Sequence, residues 1–363
     1  MSNARSKLPV VARGLGLLIA CAMAGRVQAY GADVWESLFG PSSDATGDWP
    51  RNLRVGAMVG FNLKGDFAMS GQFTVAGSDP GITGVAGQNH EYDDGYVRLD
   101  ATGNYGGLTW NWGYENASQL TGQRLYFHSA QSFTATGNTG VSGDAQVGFD
   151  SAYGERLFPL WGGSLGWELG FGVLPIKIRD TQPMAASVMR VVHSFNASGI
   201  DSFPAPPYQG GYTGPSVTID DTAAAEPGET VPAMLNGSRT IDVVLYNFRL
   251  GPTLQWELHP RLALAVSAGA AFGIASGGLE YDETLVFSDG SSAQNNGEVG
   301  ETELVYGGYL AGILRYHAVK HGDLYLGLQY MPLTSATFSG DGREATLQMS
   351  GGLYFSVGLN WTF

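Results

Sequence analysis

Residues 346–363 read TLQMSGGLYFSVGLNWTF, and the chain stops there on Phe363. The odd positions Leu347, Met349, Leu353, Phe355, Val357, Leu359, Trp361 and Phe363 are apolar apart from Gly351. The even positions are polar, small or amphipathic: Gln348, Ser350, Gly352, Tyr354, Ser356, Gly358, Asn360 and Thr362. Successive side chains of a β-strand point to opposite faces, so a period of two predicts a strand with one greasy face and one polar face.

The same alternation recurs upstream. Leu165, Trp167, Leu169, Phe171 and Val173 oppose Ser164, Gly166, Glu168, Gly170 and Gly172. Tyr246, Phe248, Leu250, Leu254 and Trp256 oppose Asn247, Arg249, Gly251, Gln255 and Glu257, and Leu262, Leu264, Val266, Phe272 and Ile274 oppose Ala263, Ala265, Ser267, Ala271 and Gly273. These runs exceed the roughly 5–6 residues of an ordinary soluble strand. They reach the roughly 9–11 residues that a tilted strand needs to cross a bilayer. Backbone groups in lipid must pair within the protein, which leaves a closed ring as the way for strands to span it. The expectation is therefore an all-β fold, a transmembrane antiparallel up-and-down β-barrel.

Counting such segments back from Phe363 gives ten, near 347–363, 323–333, 303–316, 261–276, 240–258, 163–178, 145–157, 123–133, 107–116 and 53–64. A hairpin around Tyr96–Asp100 would make twelve. Short connections (158–162, His259-Pro260, 317–322) alternate with long polar ones (65–106, 180–239, 277–301, 334–345), as in barrels with short turns on one side and long external loops on the other. Trp110, Trp112, Tyr114, Trp256, Tyr316 and Trp361 are candidates for an interfacial aromatic belt.

The terminal strand resembles the C-terminal recognition signal of bacterial outer-membrane β-barrel proteins, carried here by Phe355, Val357, Leu359, Trp361 and Phe363. That resemblance implies handling by the barrel assembly machinery and insertion into the outer membrane, among its lipid and lipopolysaccharide. Residues 1–29 read as an export signal: basic Arg5, Lys7 and Arg13, an apolar core over 14–25, and small residues Val27 and Ala29 before a cut. Leu18-Ile19-Ala20-Cys21 also resembles a lipobox, in which Cys21 would be acylated. Residues 30–52 are expected to form a periplasmic leader, with a short amphipathic helix over 33–39, ahead of a barrel over 53–363.

Charged residues make up only 14% of the chain and the net charge is −14. The leader holds Arg5, Lys7, Arg13 and Arg26 and no acid, so without it 15 basic residues of the 19 face all 33 acidic ones. Nucleic acid is thus excluded as an expected partner. Cys21 is the sole cysteine, which removes disulfide and thiol chemistry from the barrel.

Arg54, Lys64, Glu115, Asp150, Glu168, Arg249 and Arg315 fall on the expected inward faces. Asp150, Glu168 and Arg249 lie on successive strands at similar height and are expected to meet, with Arg315 near them. Such a group either filters ions in a narrow pore or neutralises itself inside a closed interior. The small inward residues Ala263, Ala265, Gly269, Ala271 and Gly273 leave space for water, a ligand or an infolded loop.

The acidic runs 90–95 and 280–283 lack the spacing of a calcium loop, and His317 and His321 flank a turn. His128 and Ser129 are adjacent on a strand and face opposite ways. No catalytic residue, metal site or cofactor is assigned. The expected function is a non-enzymatic envelope barrel, either a narrow passive channel for a small solute or a structural or adhesive protein. The alternatives are a barrel hydrolase acting on lipid or peptide, and a lumen binder of a small hydrophobic ligand.

Overall fold

The structure, a computed structural model, describes residues 51–75, 77–287, 292–319 and 322–363. The export signal, Cys21 and the proposed helix over 33–39 lie outside the described residues. Eight strands form the ring: β1 (Arg51–Phe61), β2 (Gln146–Leu160), β3 (Gly163–Asp180), β4 (Ala224–His259), β5 (Leu262–Phe287), β6 (Ser292–Val319), β7 (Gly322–Tyr330) and β8 (Leu353–Thr362). Each pairs antiparallel with its neighbours in sequence, and β8 returns to β1. Reciprocal backbone bonds between Arg51 and Phe363 (2.9 and 3.0 Å) close the seam at the short-turn end. The β2–β3 turn is Trp161-Gly162 with both φ values positive (51° and 73°). That is the hand that suits a two-residue hairpin.

Alternation fixes which face is which. Val147, Phe149, Leu169, Phe248, Leu250, Phe272, Leu310, Leu324, Leu326, Leu328, Phe355, Val357 and Leu359 all stand exposed on the outer wall. Their chain neighbours Asp150, Glu168, Asn247, Arg249, Tyr325 and Tyr354 are buried inside. A belt of this kind costs free energy in water and gains it in hydrocarbon, so the ring is a membrane-spanning barrel.

The count is eight, neither ten nor twelve. Residues 107–116 yield only short strands, Leu108–Thr109 and Trp112–Tyr114, and the latter joins a small sheet with His90–Tyr92, Gly95–Val97 and Tyr208–Gln209. Trp112 and Tyr114 are buried in that unit with Phe127 and Phe195, so they belong to a protein core and not to a lipid belt. Strand Arg124–Ala135 is long enough to span, but it pairs with Met184–Asn196 and Gln72–Thr74, outside the ring. Its buried Leu125, Phe127, Phe133 and Ala135 have found a core above the bilayer. Alternation alone does not tell lipid from a second protein layer.

The long connections are likewise not solvated loops. The expected 180–239 loop contains Met184–Asn196, which pairs with the first half of β4. The expected 277–301 loop is the continuous ladder of β5 and β6. Here β4, β5 and β6 run 36, 26 and 28 residues, against roughly 9–11 needed to cross the membrane. Their upper parts rise from the long-loop end as an external wall.

A four-stranded sheet of Gly137–Ser142, Lys64–Met69, Arg343–Gln348 and Ala336–Gly340, in that order, lies across the long-loop mouth. Its inner face, with Phe67, Phe338, Ala345 and Leu347, packs against Ile176, Ile178, Ile241, Val243, Leu279 and Val305 of the wall. Leu347 and Met349 are therefore core residues, whereas Leu353 to Trp361 face lipid, although all sit at odd positions. The chain leaves the ring at the turn over 349–352, which the Gly352 N–H bond to Met349 O (3.1 Å) closes. Two strands in different sheets share one unbroken alternation.

Because the sole native cysteine is Cys21, introduced cysteines report these faces. Val357→Cys in vesicles is expected to react with a lipid-soluble maleimide and not with a membrane-impermeant one. Leu347→Cys should resist both until the protein is denatured; labelling of Leu347→Cys in the folded barrel would remove the mouth-covering sheet.

Candidate functional site

The lumen is a stack of polar layers. Nearest the short turns, Gln255 Oε1 accepts from Arg156 Nε (3.0 Å) and Arg315 Nη2 (2.9 Å), which ties β2, β4 and β6. Asn360 donates to Asp323 at 2.9 Å, and His317 lies between Asp323 and Glu257. One layer up, Arg54 of β1 makes a two-pronged ion pair with Glu168 of β3 at 3.0 and 2.9 Å. The planar fork of arginine suits such pairing. Higher still, Arg249 of β4 reaches Asp150 on β2 (2.6 Å) and Gln329 on β7 (2.5 Å). Since β2 and β7 stand on opposite sides of β1 and β8, the Arg249 guanidinium crosses the barrel axis.

Small residues make room for these groups. A Cβ at Gly170 would sit 2.5 Å from Arg249 Nη2, and one at Gly172 would sit 2.6 Å from the Asn247 amide. Of the small inward residues read from β5, Ala271 lies in the apolar core and a Cβ at Gly273 would meet Val305 and Leu245. Above Arg249 the interior turns apolar, through Met58, Leu174 and Leu245, into the core under the mouth-covering sheet.

Of the residues singled out from sequence, Asp150, Glu168, Arg249 and Arg315 are all buried in the lumen. Asp150 takes Arg249, Glu168 takes Arg54, and Arg315 takes a glutamine. Lys64 and Glu115 are not lumenal; both are exposed at the long-loop end. Phe355, Val357, Leu359 and Trp361 stand exposed on the lipid face of β8, with Phe363 at its end. Sequence reading overlooked Gln255, Gln329, Asp323, Asn360 and Tyr325. Each shares the inward parity of its strand, and that parity was the available signal.

A second polar cluster joins barrel to external wall. Glu283 accepts from Arg239 Nε (2.8 Å) and Arg343 Nη2 (2.9 Å), while Arg239 also reaches Asp180 (3.2 Å). The Arg343 guanidinium lies 4.0 Å from the Tyr281 ring centroid and 4.6 Å from that of Phe73. These buried charges link β3, β4, β5 and the mouth-covering sheet.

In the external wall His128 Nδ1 lies 2.6 Å from Asp94 Oδ2, and Nε2 lies 3.8 Å from Glu229. Burial pulls the His128 pKa down, but the Asp94 hydrogen bond and the charges of Asp94 and Glu229 carry it above the ordinary value. A carboxylate-held histidine is the geometry of an oriented base, yet its other nitrogen meets a second carboxylate. The Ser129 hydroxyl is turned away, donating to Ser78 O at 2.6 Å. The acids of 90–95 are committed elsewhere: Glu91 to Arg98, and Asp93 to the N–H groups of Ser78 and Ala130. Among the described residues no three His, Cys, Asp or Glu side chains converge as metal ligands would. The segment with Tyr208 folds back onto Trp112, ring centroids 4.5 Å apart, instead of standing free in solvent.

No protein-family model matches the sequence, and no curated protein matches it by sequence. Among solved structures, Ail, the attachment invasion locus protein of Yersinia pestis in complex with the heparin analogue sucrose octasulfate, is 8% identical. The match covers 87% of this chain and 100% of that one, with a TM-score of 0.26. The outer-membrane protein OprG of Pseudomonas aeruginosa is 9% identical over 85% and 97% of the two chains, TM-score 0.28. The outer-membrane protease OmpT of Escherichia coli is 11% identical over 88% and 99%, TM-score 0.24. Likenesses this slight add no support; the barrel stands on its closed ring and apolar belt.

Glu168→Gln leaves Arg54 buried without its carboxylate and is expected to cost about 3–5 kcal/mol in denaturant unfolding from micelles. Arg54→Met combined with Glu168→Leu should recover most of that loss. His128 has a raised folded-state pKa, so its contribution is complete below the unfolded value of about 6.5 and fades as pH rises through the folded one. Amide exchange in Arg124–Ala135 should accordingly quicken as pH rises above about 6.5, beyond the intrinsic base-catalysed rise, and His128→Gln should abolish that excess.

Proposed function

We propose that the protein is a sealed, non-enzymatic outer-membrane barrel of a Gram-negative bacterium, whose work is done by the rigid β-structure it holds outside the cell. The supporting observation is the occupied axis: Arg249 spans from Asp150 to Gln329, and an apolar core lies above it under the four-stranded sheet. Ion passage would require breaking buried ion pairs and then parting a packed hydrophobic layer. A structural or adhesive role therefore fits better than a passive channel. The upper lumen is filled by the chain's own Phe67, Phe338, Leu347 and Met349, which argues equally against a hydrophobic ligand there.

On this reading the outer belt meets membrane lipid and lipopolysaccharide, and the β8 alternation ending at Phe363 is what the barrel assembly machinery engages. The long-loop end faces outward. The His128–Asp94 pair serves to hold the turn at Asp93-Asp94 against strand Arg124–Ala135, where Asp94 also accepts the His128 N–H at 2.9 Å.

Purified protein in planar bilayers is expected to show no steady unitary conductance, and no turnover of phospholipid, lipid A or peptide that His128→Ala abolishes. Arg249→Ala, which clears the axis beneath the apolar core, should leave the bilayer silent as well. A regular ion-selective conductance in the wild type would overturn the sealed reading.

A further inference from the structure

The external wall ends in a long strand with an open side. β6 covers 28 residues, but β7 pairs with it only from Leu310 to Val319. One isolated bridge, Gly307 to Leu333, lies beyond. There Tyr306 O accepts the Thr334 N–H at 2.9 Å, and the Tyr306 N–H donates to Thr334 Oγ1 at 3.1 Å. Both backbone groups of Tyr306 thus point away from β5.

In an antiparallel ladder every second residue shares that direction. The β5–β6 register runs without a bulge from Leu262–Tyr316 to Val286–Ser292. Leu304, Thr302, Gly300, Asn296 and Gln294 therefore turn their N–H and C=O groups to the same open side. Among the described residues no backbone partner meets these five there. Strand Ala336–Gly340 passes the inner side of β6 at Val299 but makes no ladder with it.

Proteins ordinarily blunt such edges with proline, lysine, bulges or brevity. Residues 292–304 contain no proline, lysine or arginine, and the ladder beneath them has no bulge. What they carry is acid: Glu301 and Glu303, with Glu280 and Asp282 close by on β5. Two copies meeting edge to edge would bring these glutamates together, which disfavours self-association. A segment bearing lysine or arginine would instead be drawn to it.

We propose that the edge of β6 presented by Leu304, Thr302, Gly300, Asn296 and Gln294 is a docking site for an extended, basic segment of a partner protein, which adds to the external wall as a further strand. Main-chain hydrogen bonds then supply affinity, and the glutamates select the partner's charge. The proposal rests on the external half being the working surface, but its failure would be distinct from a failure of the sealed-barrel reading, which conductance alone decides.

The test uses the full folded protein in detergent micelles and three fluorescent ten-residue peptides. One alternates lysine with threonine, one alternates glutamate with threonine, and one carries the same lysines with proline in place of threonine. Saturable binding is expected for the first alone, with slowed amide exchange at Asn296, Gly300 and Thr302. Thr302→Pro removes an edge-facing N–H and no ladder bond to β5, and should weaken binding about three- to tenfold, the worth of one net hydrogen bond. Equal binding of the proline peptide, binding without edge protection, or no binding at all would each overturn the proposal. The wild-type exchange measurement decides it even if Thr302→Pro fails to fold.

Discussion

A backbone amide in hydrocarbon has no water to turn to, so every strand that crosses must find a partner on both sides. Eight strands meet that demand by closing β8 on β1, and the closure dictates the rest. A ring this small is just wide enough for its own side chains. Charged groups pointing inward cannot stay hydrated as they would at an open surface, so they are answered by side chains of other strands. That is why Arg249 contacts strands on both flanks of the seam, and why Arg54 and Glu168 form a two-pronged pair. The ion pairs are a consequence of closure. They are weak evidence of added stability, since taking both charges out of water offsets much of their attraction.

The same constraint explains the uneven distribution of side-chain size around the wall. β3 presents Gly170 and Gly172 inward because β4 presents Arg249 and Asn247, and a Cβ on either glycine would collide with them. Above the charged layers the need changes. The mouth would open the polar stack to bulk water if nothing covered it, and the four-stranded sheet does so with Phe67, Phe338 and Leu347. A dry layer above buried charges keeps their mutual attraction strong, because the local dielectric stays low.

Sequence reading captured the barrel because its signal is local: parity at Phe248 and Arg249, or at Leu169 and Glu168, is visible one residue at a time. It erred wherever the signal depended on what lies opposite. Phe127 and Phe133 alternate as Phe355 and Val357 do, but the former meet a protein core and the latter meet lipid. Leu347 and Leu353 share parity across a turn that moves the chain between sheets. The lumen charges were found by their inward parity and Asp150 does meet Arg249, yet the partner of Glu168 was not found. Choosing Arg54 over Arg249 as the partner of Glu168 requires strand register and stagger, which no single segment encodes.

The external wall is long, and a long projecting sheet on a barrel would flex at its base unless braced. The brace is the cluster of Asp180, Arg239, Glu283 and Arg343, where three wall strands and the mouth-covering sheet converge on buried charges. Two guanidinium groups share one carboxylate there, so the loss of Glu283 would leave Arg343 without a carboxylate and Arg239 with Asp180 alone, and each strand end is held by the position of the others. Such mutual dependence couples the mouth-covering sheet to β5, and through the unbroken ladder to β6. The edge of β6 is consequently carried on a braced frame, with the N–H and C=O groups of Gly300, Thr302 and Leu304 already in strand geometry. A segment docking there would lose its own conformational freedom, while the edge itself would have little left to lose.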